Sequence, residues 1–191
     1  MQPVMQVPLL DLAAQYAPIR DAVVEAVTRV VDTQKFILGP EVEAFEAEAA
    51  AYLGAKHAIG VTSGTDALLV AMMALEIGAG DEVIVPTYSF FATAGCVSRL
   101  GATPVLVDID PVTYNLDIDA VRRAITSRTK AIIPVHLYGQ AAEMTPLLTL
   151  ACEHGLQVIE DAAQALGATY DGQALGTLGR FGCFSFYPSK N

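Results

Sequence analysis

Short apolar segments alternate with helical segments from residue 57 onward, and this alternation restricts the chain to very few folds. The apolar segments predict strands at His57–Val61, Glu82–Val85, Pro104–Val107, Ala131–Val135, Gln157–Ile159 and Gly182–Phe186. Helices are predicted between them, at Asp66–Ile77, Phe91–Leu100, Ile118–Ile125 and Pro146–His154. Such alternation is typical of right-handed βαβ units. The sequence therefore predicts a three-layer α/β/α sandwich around a mostly parallel sheet.

Helices are also predicted ahead of this βα core. Apolar residues recur at helical spacing over Ile19–Val31, and a second helical segment lies between Pro40 and Gly54. We therefore expect one domain over residues 1–191, with N-terminal helices in 1–54 and the βα core in 55–191.

The charge and hydropathy of the chain limit the classes of partner that it can bind. The formal net charge is -10 and the pI is about 4.6, which argues against binding to nucleic acid, because that requires a basic surface. The mean hydropathy of +0.43 is high for such a domain. A parallel sheet covered on both faces explains this value, and so does the absence of part of a larger molecule.

The cysteines and the apolar runs bear on location. Cys96, Cys152 and Cys183 have neither paired nor metal-binding spacing, which indicates reduced thiols and no metal site. Cys152 and Cys183 fall in predicted helix and strand, so both are expected to be buried. No apolar run approaches the roughly 20 residues that a membrane span needs. The expected location is the cytoplasm.

The carboxyl ends of the predicted strands should meet at one edge of the sheet, where ligands bind in such folds. The segments expected at this edge are Thr62–Thr65, Pro86–Phe90, Asp108–Asp110, His136–Gly139, Glu160–Gln164 and Tyr187–Lys190. Among them, Ser63-Gly64-Thr65 joins a predicted strand to a helix. Backbone N–H groups at such a junction can hold a phosphate. Alternatively, Ser63 or Thr65 simply caps the helix.

Three further groups at this edge carry possible chemistry. The carboxylate of Asp161 could keep a pyridine nitrogen protonated, the amine of Lys190 could form a Schiff base with an aldehyde, and the ring of Phe90 or Tyr88 could stack on a flat cofactor. Each has a plainer alternative: Asp161 caps a helix over Ala162–Leu166, Lys190 is a solvated lysine, and the aromatic rings only pack. Together with a phosphate site, these are the groups that pyridoxal 5'-phosphate (PLP) needs.

Two other polar residues near this edge are interpreted as structural. Glu160 precedes Asp161 at the end of a predicted strand, so its side chain should point the opposite way. His136, at the end of another predicted strand, is either a core histidine or a residue that supports the site, and the first interpretation is favoured.

At the level of whole motifs, the sequence resembles the DegT/DnrJ/StrS family of nucleotide-sugar aminotransferases, which are fold-type I PLP enzymes. The resemblance covers nearly the whole chain and rests on the segments Phe36–Val42, Ser63–Leu68, Gly80–Pro86, Pro134–Gly139, Glu160–Ala165 and Phe184–Asn191. It implies an aspartate-aminotransferase-like large domain. Lys190 matches the lysine that carries PLP, Asp161 matches the partner of the pyridine nitrogen, and Gln164 matches a residue near the ring hydroxyl.

The resemblance also implies the remaining contacts and the reaction. Gly64, Thr65 and Ser185 match phosphate contacts, and Phe90 matches the ring-stacking aromatic. The implied reaction moves an amino group from glutamate to a keto-sugar nucleotide in a homodimer. Members of the family continue beyond the lysine into a smaller C-terminal domain, so the chain is expected to be a fragment with little activity of its own.

Other interpretations stay open at this point. A nicotinamide dehydrogenase would need a Gly-x-Gly-x-x-Gly turn, which residues 59–64 do not supply. A different PLP enzyme, such as a desulfurase or an aldolase, is not excluded by the fold. A non-catalytic regulatory or binding protein of the same fold is a third alternative.

Overall fold

A five-stranded parallel sheet forms the centre of the protein in a computed structural model that describes residues 10–190. The strands are β1 (Glu82–Pro86), β2 (Thr103–Val107), β3 (Thr129–Ile132), β4 (Gln157–Asp161), β5 (Thr169–Tyr170), β6 (Gln173–Ala174) and β7 (Phe181–Cys183). The order in the main sheet is β2-β1-β3-β4-β7, with every neighbouring pair parallel, while β5 and β6 form a small antiparallel pair. The predicted parallel sheet is confirmed.

Helices cover both faces of this sheet, and three more precede it. They are α1 (Leu12–Tyr16), α2 (Arg20–Thr33), α3 (Pro40–Leu53), α4 (Gly64–Ala74), α5 (Ala92–Arg99), α6 (Ile118–Ala124) and α7 (Met144–His154), with short 3-10 turns at Ala17–Ile19 and Leu137–Gly139. Helices α4 and α5 pack on one face, and α6 and α7 pack on the other. The predicted three-layer sandwich is confirmed.

Strand β1 shows why the apolar runs form this sheet. All five of its residues are buried. Val83 and Val85 belong to the apolar cluster on the α4–α5 face, whereas Ile84 belongs to the cluster on the α6–α7 face. Alternate side chains of a strand point to opposite faces, so a strand covered on both sides must be apolar throughout.

The strand predicted at His57–Val61 is wrong. The segment forms neither helix nor strand and pairs with no strand among residues 10–190, and Ile59 is 79% exposed. The N–H of Gly60 donates instead to Oε1 of Glu46 on α3, at 2.7 Å. A side-chain carboxylate thus satisfies a backbone donor that a neighbouring strand would otherwise take.

The two predicted N-terminal helical segments form α2 and α3, and a short helix that was not predicted, α1, precedes them. Helices α1, α2 and α3 contain no buried residue. The apolar stripe of α2 is exposed, with Val27 at 58% and Val31 at 54%. Within residues 10–190, no helix combines the length and the apolar character that crossing a membrane requires.

The cysteines are free thiols, and one of them departs from the expectation. Cys183 is buried as predicted, and Cys96 is buried as well, whereas Cys152 is exposed on α7. Helix α7 buries Leu147, Leu150 and Ala151, so position 152 falls on its outer side. Burial raises the pKa of the thiols of Cys96 and Cys183, which keeps both protonated and unreactive.

Candidate active site

Helix α4 begins at the carboxyl-end edge of the sheet, directly against the chain that follows β7. Its N-cap is Ser63, whose Oγ accepts from the N–H of Asp66 at 3.1 Å, so the capping interpretation of Ser63 is confirmed. Gly64 and Thr65 are the first two residues of α4, and their N–H groups have no carbonyl partner within the helix. Positive partial charge therefore collects where the predicted phosphate contacts lie.

Gly64 is required by a close approach of two chain segments. A Cβ atom at position 64 would lie 2.9 Å from Cβ of Ser185 and 3.1 Å from the carbonyl oxygen of Phe184. The three residues predicted to contact a phosphate, Gly64, Thr65 and Ser185, are thus brought together although about 120 residues separate them along the chain.

Asp161 ends β4 at the same edge and is only 5% exposed. Its Oδ1 accepts from the N–H of Ala163 at 3.2 Å, and its Oδ2 accepts from the hydroxyl of Thr93 at 2.8 Å. Residues 162–166 form turns and not a helix, so the alternative that Asp161 is a helix N-cap is wrong. The carboxylate is a buried acid held by two donors.

Burial is the main influence on this acid. Removal from water raises the pKa of Asp161, and the hydrogen bonds from Thr93 and Ala163 oppose that rise without cancelling it. The positive charge of Lys190 is a minor influence that lowers the pKa of Asp161. Asp161 pairs in register with Cys183 at the end of β7, the strand that leads to Lys190. A cation beside this carboxylate would stabilise its charged form.

Thr93 and Ser89 are site residues that the sequence reasoning missed. Thr93 is 1% exposed on the first turn of α5, and its single hydroxyl proton goes to Asp161. The Ser89 hydroxyl, 2.9 Å from Oγ1 of Thr93, must therefore be the donor in their shared hydrogen bond. A usable signal was present, because Thr93 is the one polar residue among the buried positions of α5.

Lys190 lies in a turn and is half-buried. Its N–H donates to the carbonyl of Tyr187 at 2.8 Å. The residue is neither fully exposed nor buried, so the assignment of Lys190 as the reactive amine stays a prediction. Lysine at such a place is suited to react as an amine.

Phe90 and Gln164 follow β1 and β4 at this edge. Phe90 is 71% exposed, and its carbonyl accepts from the N–H of Thr93, which holds Asp161. Oε1 of Gln164 accepts from the N–H of Tyr138 at 2.9 Å. Tyr138 has a left-handed backbone (φ 56°), an uncommon conformation for a residue other than glycine. Its hydroxyl lies 3.1 Å from that of Tyr88, which places the second predicted aromatic at this edge too.

A cavity of about 480 Å³ lies at the amino-end edge of the sheet, away from these residues. Its lining consists of Leu75, Ile77, Lys130, Gly155, Gln157 and Arg180. None of the predicted site residues contributes to it, and the groups with reactive chemistry are collected at the opposite edge.

Comparison with known proteins decides between the families that share this fold. The sequence profile of the DegT/DnrJ/EryC1/StrS aminotransferase family matches residues 18–191. The chain belongs to this family. The predicted membership is confirmed, and a nicotinamide dehydrogenase is ruled out.

Individual relatives agree with the family. UDP-N-acetyl-3-dehydro-alpha-D-glucosamine 3-aminotransferase of Acidithiobacillus ferrooxidans is 54% identical over 185 residues, covering 97% of this chain and 50% of that protein. The crystal structure of S. venezuelae DesV in complex with a ketimine intermediate matches with a TM-score of 0.93 and 50% identity, covering 97% of this chain and 50% of that one. NtdA of Bacillus subtilis with bound cofactor PMP matches with a TM-score of 0.92 and 38% identity, covering 99% and 43%. The chain spans about half the length of these relatives.

Proposed function

We propose that the protein is a PLP-dependent aminotransferase that moves an amino group from glutamate to a keto-sugar carried on a nucleotide diphosphate. Membership of the aminotransferase family and the sugar-nucleotide relative support the reaction class and the substrate class. The single observation that carries the proposal is the register of β4 with β7: Asp161, a buried acid, pairs with Cys183 at the end of the strand that leads to Lys190, a half-buried amine.

The residues at the carboxyl-end edge fit PLP. We assign Gly64, Thr65 and Ser185 to the phosphate, because a helix N-terminus and a serine converge there on a position that tolerates no side chain at residue 64. We assign the ring face to Phe90 and the neighbourhood of the ring hydroxyl to Gln164. When bound, PLP supplies an aldehyde that joins an amine and a ring that withdraws electrons.

Asp161 and Lys190 would do different work in this site. The carboxylate of Asp161, which is costly to bury alone, would hold a proton on the ring nitrogen and gain a cationic partner in return. Nζ of Lys190 would first bind the cofactor and then, once released, carry a proton between a substrate carbon and a cofactor carbon. Both roles need the two side chains to face the same bound ring.

The test of this function measures transfer of the amino group from the amino-acid donor to a keto-sugar nucleotide. The protein, expressed from its complete gene and loaded with PLP, is expected to transfer the amino group of glutamate to a UDP- or dTDP-linked 3-keto sugar and to release no sulfide from cysteine. Sulfide release without amine transfer would favour a desulfurase. Lysine-bound cofactor without any turnover would favour a regulatory or binding role for this fold.

We further propose that the active protein is a homodimer with a C-terminal domain beyond these residues. The exposed apolar stripe of α2 supports an additional contact surface, because such a stripe is stabilised by burial. The cytoplasmic location inferred from the cysteines stays a prediction.

A further inference from the structure

Glu160, beside Asp161 in β4, occupies a fully buried polar cluster on the other face of the sheet. Glu160 and His136 are both 0% exposed. The Glu160 carboxylate accepts from Nε2 of His136 at 2.9 Å, and from the N–H groups of Gly176 at 2.7 Å, Leu178 at 2.7 Å and Gly179 at 2.6 Å. We call these five residues the Glu160 clamp. The expectation that Glu160 points away from the site is confirmed.

The hydrogen-bond pattern fixes the protons in this clamp. The N–H of Ala142 donates to Nδ1 of His136 at 3.1 Å, so Nδ1 must carry a lone pair. The ring hydrogen is then on Nε2, where it is donated to Glu160. Four hydrogen bonds, from His136, Gly176, Leu178 and Gly179, therefore surround the buried Glu160 carboxylate. Burial alone would raise the pKa of Glu160, but the bonds from His136, Gly179 and Gly176 outweigh it and hold the pKa below its ordinary value.

The clamp ties together the segments that also fix Asp161. The backbone N–H of Asp161 donates to the carbonyl of Pro134 at 2.9 Å, and its carbonyl accepts from the N–H of His136 at 3.0 Å. The N–H of Ala162 donates to the carbonyl of Cys183 on β7 at 2.9 Å. The chain after β3, strand β4 and strand β7 thus meet at Asp161, and Glu160 binds the first of them through His136.

The clamp reaches β7 through the loop that donates to Glu160. Gly176 in this loop contacts Gly182 so closely that a Cβ atom at position 182 would overlap the carbonyl of Gly176. Strand β7 then leads directly to Ser185 and Lys190. A loop held by the Glu160 charge therefore sets the path of the chain that carries the reactive amine.

We propose that Glu160 and His136 are positioning residues that hold the Asp161 carboxylate and the chain leading to Lys190 in register with the cofactor ring. This proposal rests on the proposed PLP-dependent function. Neither residue contacts the cofactor space, so neither is a catalytic residue. The clamp acts by fixing three backbone segments around one buried charge. The positions of Asp161 and Lys190 then follow from those of the backbone segments that carry them.

The test uses Glu160→Gln in the full protein loaded with PLP. The side chain keeps its shape but loses its charge, and its NH₂ group faces backbone donors. The readout is the pH midpoint at which the visible absorbance of the lysine-bound cofactor changes. A proton on the ring nitrogen disfavours protonation of the lysine nitrogen that is bound to the cofactor. If Asp161 is displaced, the ring nitrogen holds its proton less well, so the pH midpoint should rise by about half a pH unit or more.

Two further variants make the test decisive. Glu82→Gln is the matched control, because Glu82 is also a buried glutamate of this sheet, 6% exposed and bound to Thr126 and Arg128, but lies at the opposite edge. Its midpoint should equal that of the unsubstituted protein. His136→Asn removes one donor and leaves the other three, so it should fold even if Glu160→Gln does not, with a smaller upward shift.

The outcomes separate the two proposals. If the unsubstituted protein shows no lysine-bound cofactor, the proposed function fails and the clamp loses its purpose. If the cofactor binds normally but both clamp variants have the same pH midpoint as the Glu82→Gln control, the positioning role is overturned and the proposed function stands. If Glu160→Gln does not fold, an unchanged midpoint in His136→Asn alone leads to the same conclusion.

Discussion

Asp161 and Glu160 are consecutive carboxylates with opposite acid–base behaviour, and their surroundings explain the difference. Asp161 is buried with two donors, and burial raises its pKa. Glu160 is buried with four donors, which outweigh burial and lower its pKa. Glu160 is therefore an anion whose hydrogen bonds offset its burial, whereas the two donors to Asp161 do not fully offset the burial of that carboxylate.

Replacement of Asp161 by asparagine should stabilise the cofactor-free protein while weakening cofactor binding. Because the pKa of Asp161 is raised, the folded chain binds this proton more tightly than the unfolded chain, so the contribution of the group to stability declines as pH rises through the raised pKa. At neutral pH, Asp161→Asn should raise the free energy of unfolding by about 1 kcal/mol. Denaturant unfolding without PLP, together with PLP titration, measures both effects.

The control for this change is Asp108→Asn. Asp108 follows β2 at the same edge but is exposed, and its Oδ1 accepts from the N–H of Ile109 at 2.9 Å, a bond that asparagine can keep. The free energy of unfolding of Asp108→Asn should therefore differ little from that of the unsubstituted protein. If Asp161→Asn instead lowers stability at neutral pH, as an ordinary substitution at a buried site does, the burial of the Asp161 charge is not the cost inferred here.

At the scale of elements, the site depends on how tightly α4 abuts the segment after β7. Gly64→Ala should push residues 184–185 away from the helix, because the new Cβ would lie 2.9 Å from Ser185 Cβ and 3.1 Å from a backbone oxygen. We expect a loss of roughly 1–3 kcal/mol in stability and weaker binding of PLP and of inorganic phosphate. Thermal unfolding and phosphate competition measure the two losses.

Gly78→Ala provides the comparison. The nearest atom to a Cβ at position 78 is a carbonyl oxygen at 3.9 Å, an ordinary contact, and stability should stay within about 0.5 kcal/mol of the parent. Equal effects of the two substitutions would show that the approach of α4 to Ser185 is not tight.

Helices and strands with an apolar pattern could be predicted from the sequence, whereas the contacts between them could not. Strands β1 to β4 and helices α4 to α7 follow from runs and periods in the sequence. The His57–Val61 run failed because strand formation depends on a neighbour as well as on the run. The bond between Thr93 and Asp161 joins residues 68 apart, so no local pattern reports it.

At the scale of the whole molecule, the sheet collects at one edge groups that are distant in the sequence. The first contributors, Gly64 and Thr65, open α4; Phe90 follows β1; Asp161 ends β4; and Lys190 follows β7. This convergence could be predicted because the carboxyl ends of parallel strands share an edge. The distances within the site could not, because they depend on side-chain packing between elements.

The site of covalent cofactor attachment decides whether Lys190 is the reactive amine. The chain has four lysines, Lys35, Lys56, Lys130 and Lys190. The protein is incubated with PLP, the carbon–nitrogen double bond is reduced with borohydride, and the labelled peptides are mapped by mass spectrometry. The account predicts a pyridoxyl group on Lys190 and none on the other three, with labelling lost in Lys190→Ala. Label spread over Lys35, Lys56 and Lys130, or labelling that survives Lys190→Ala, would contradict it.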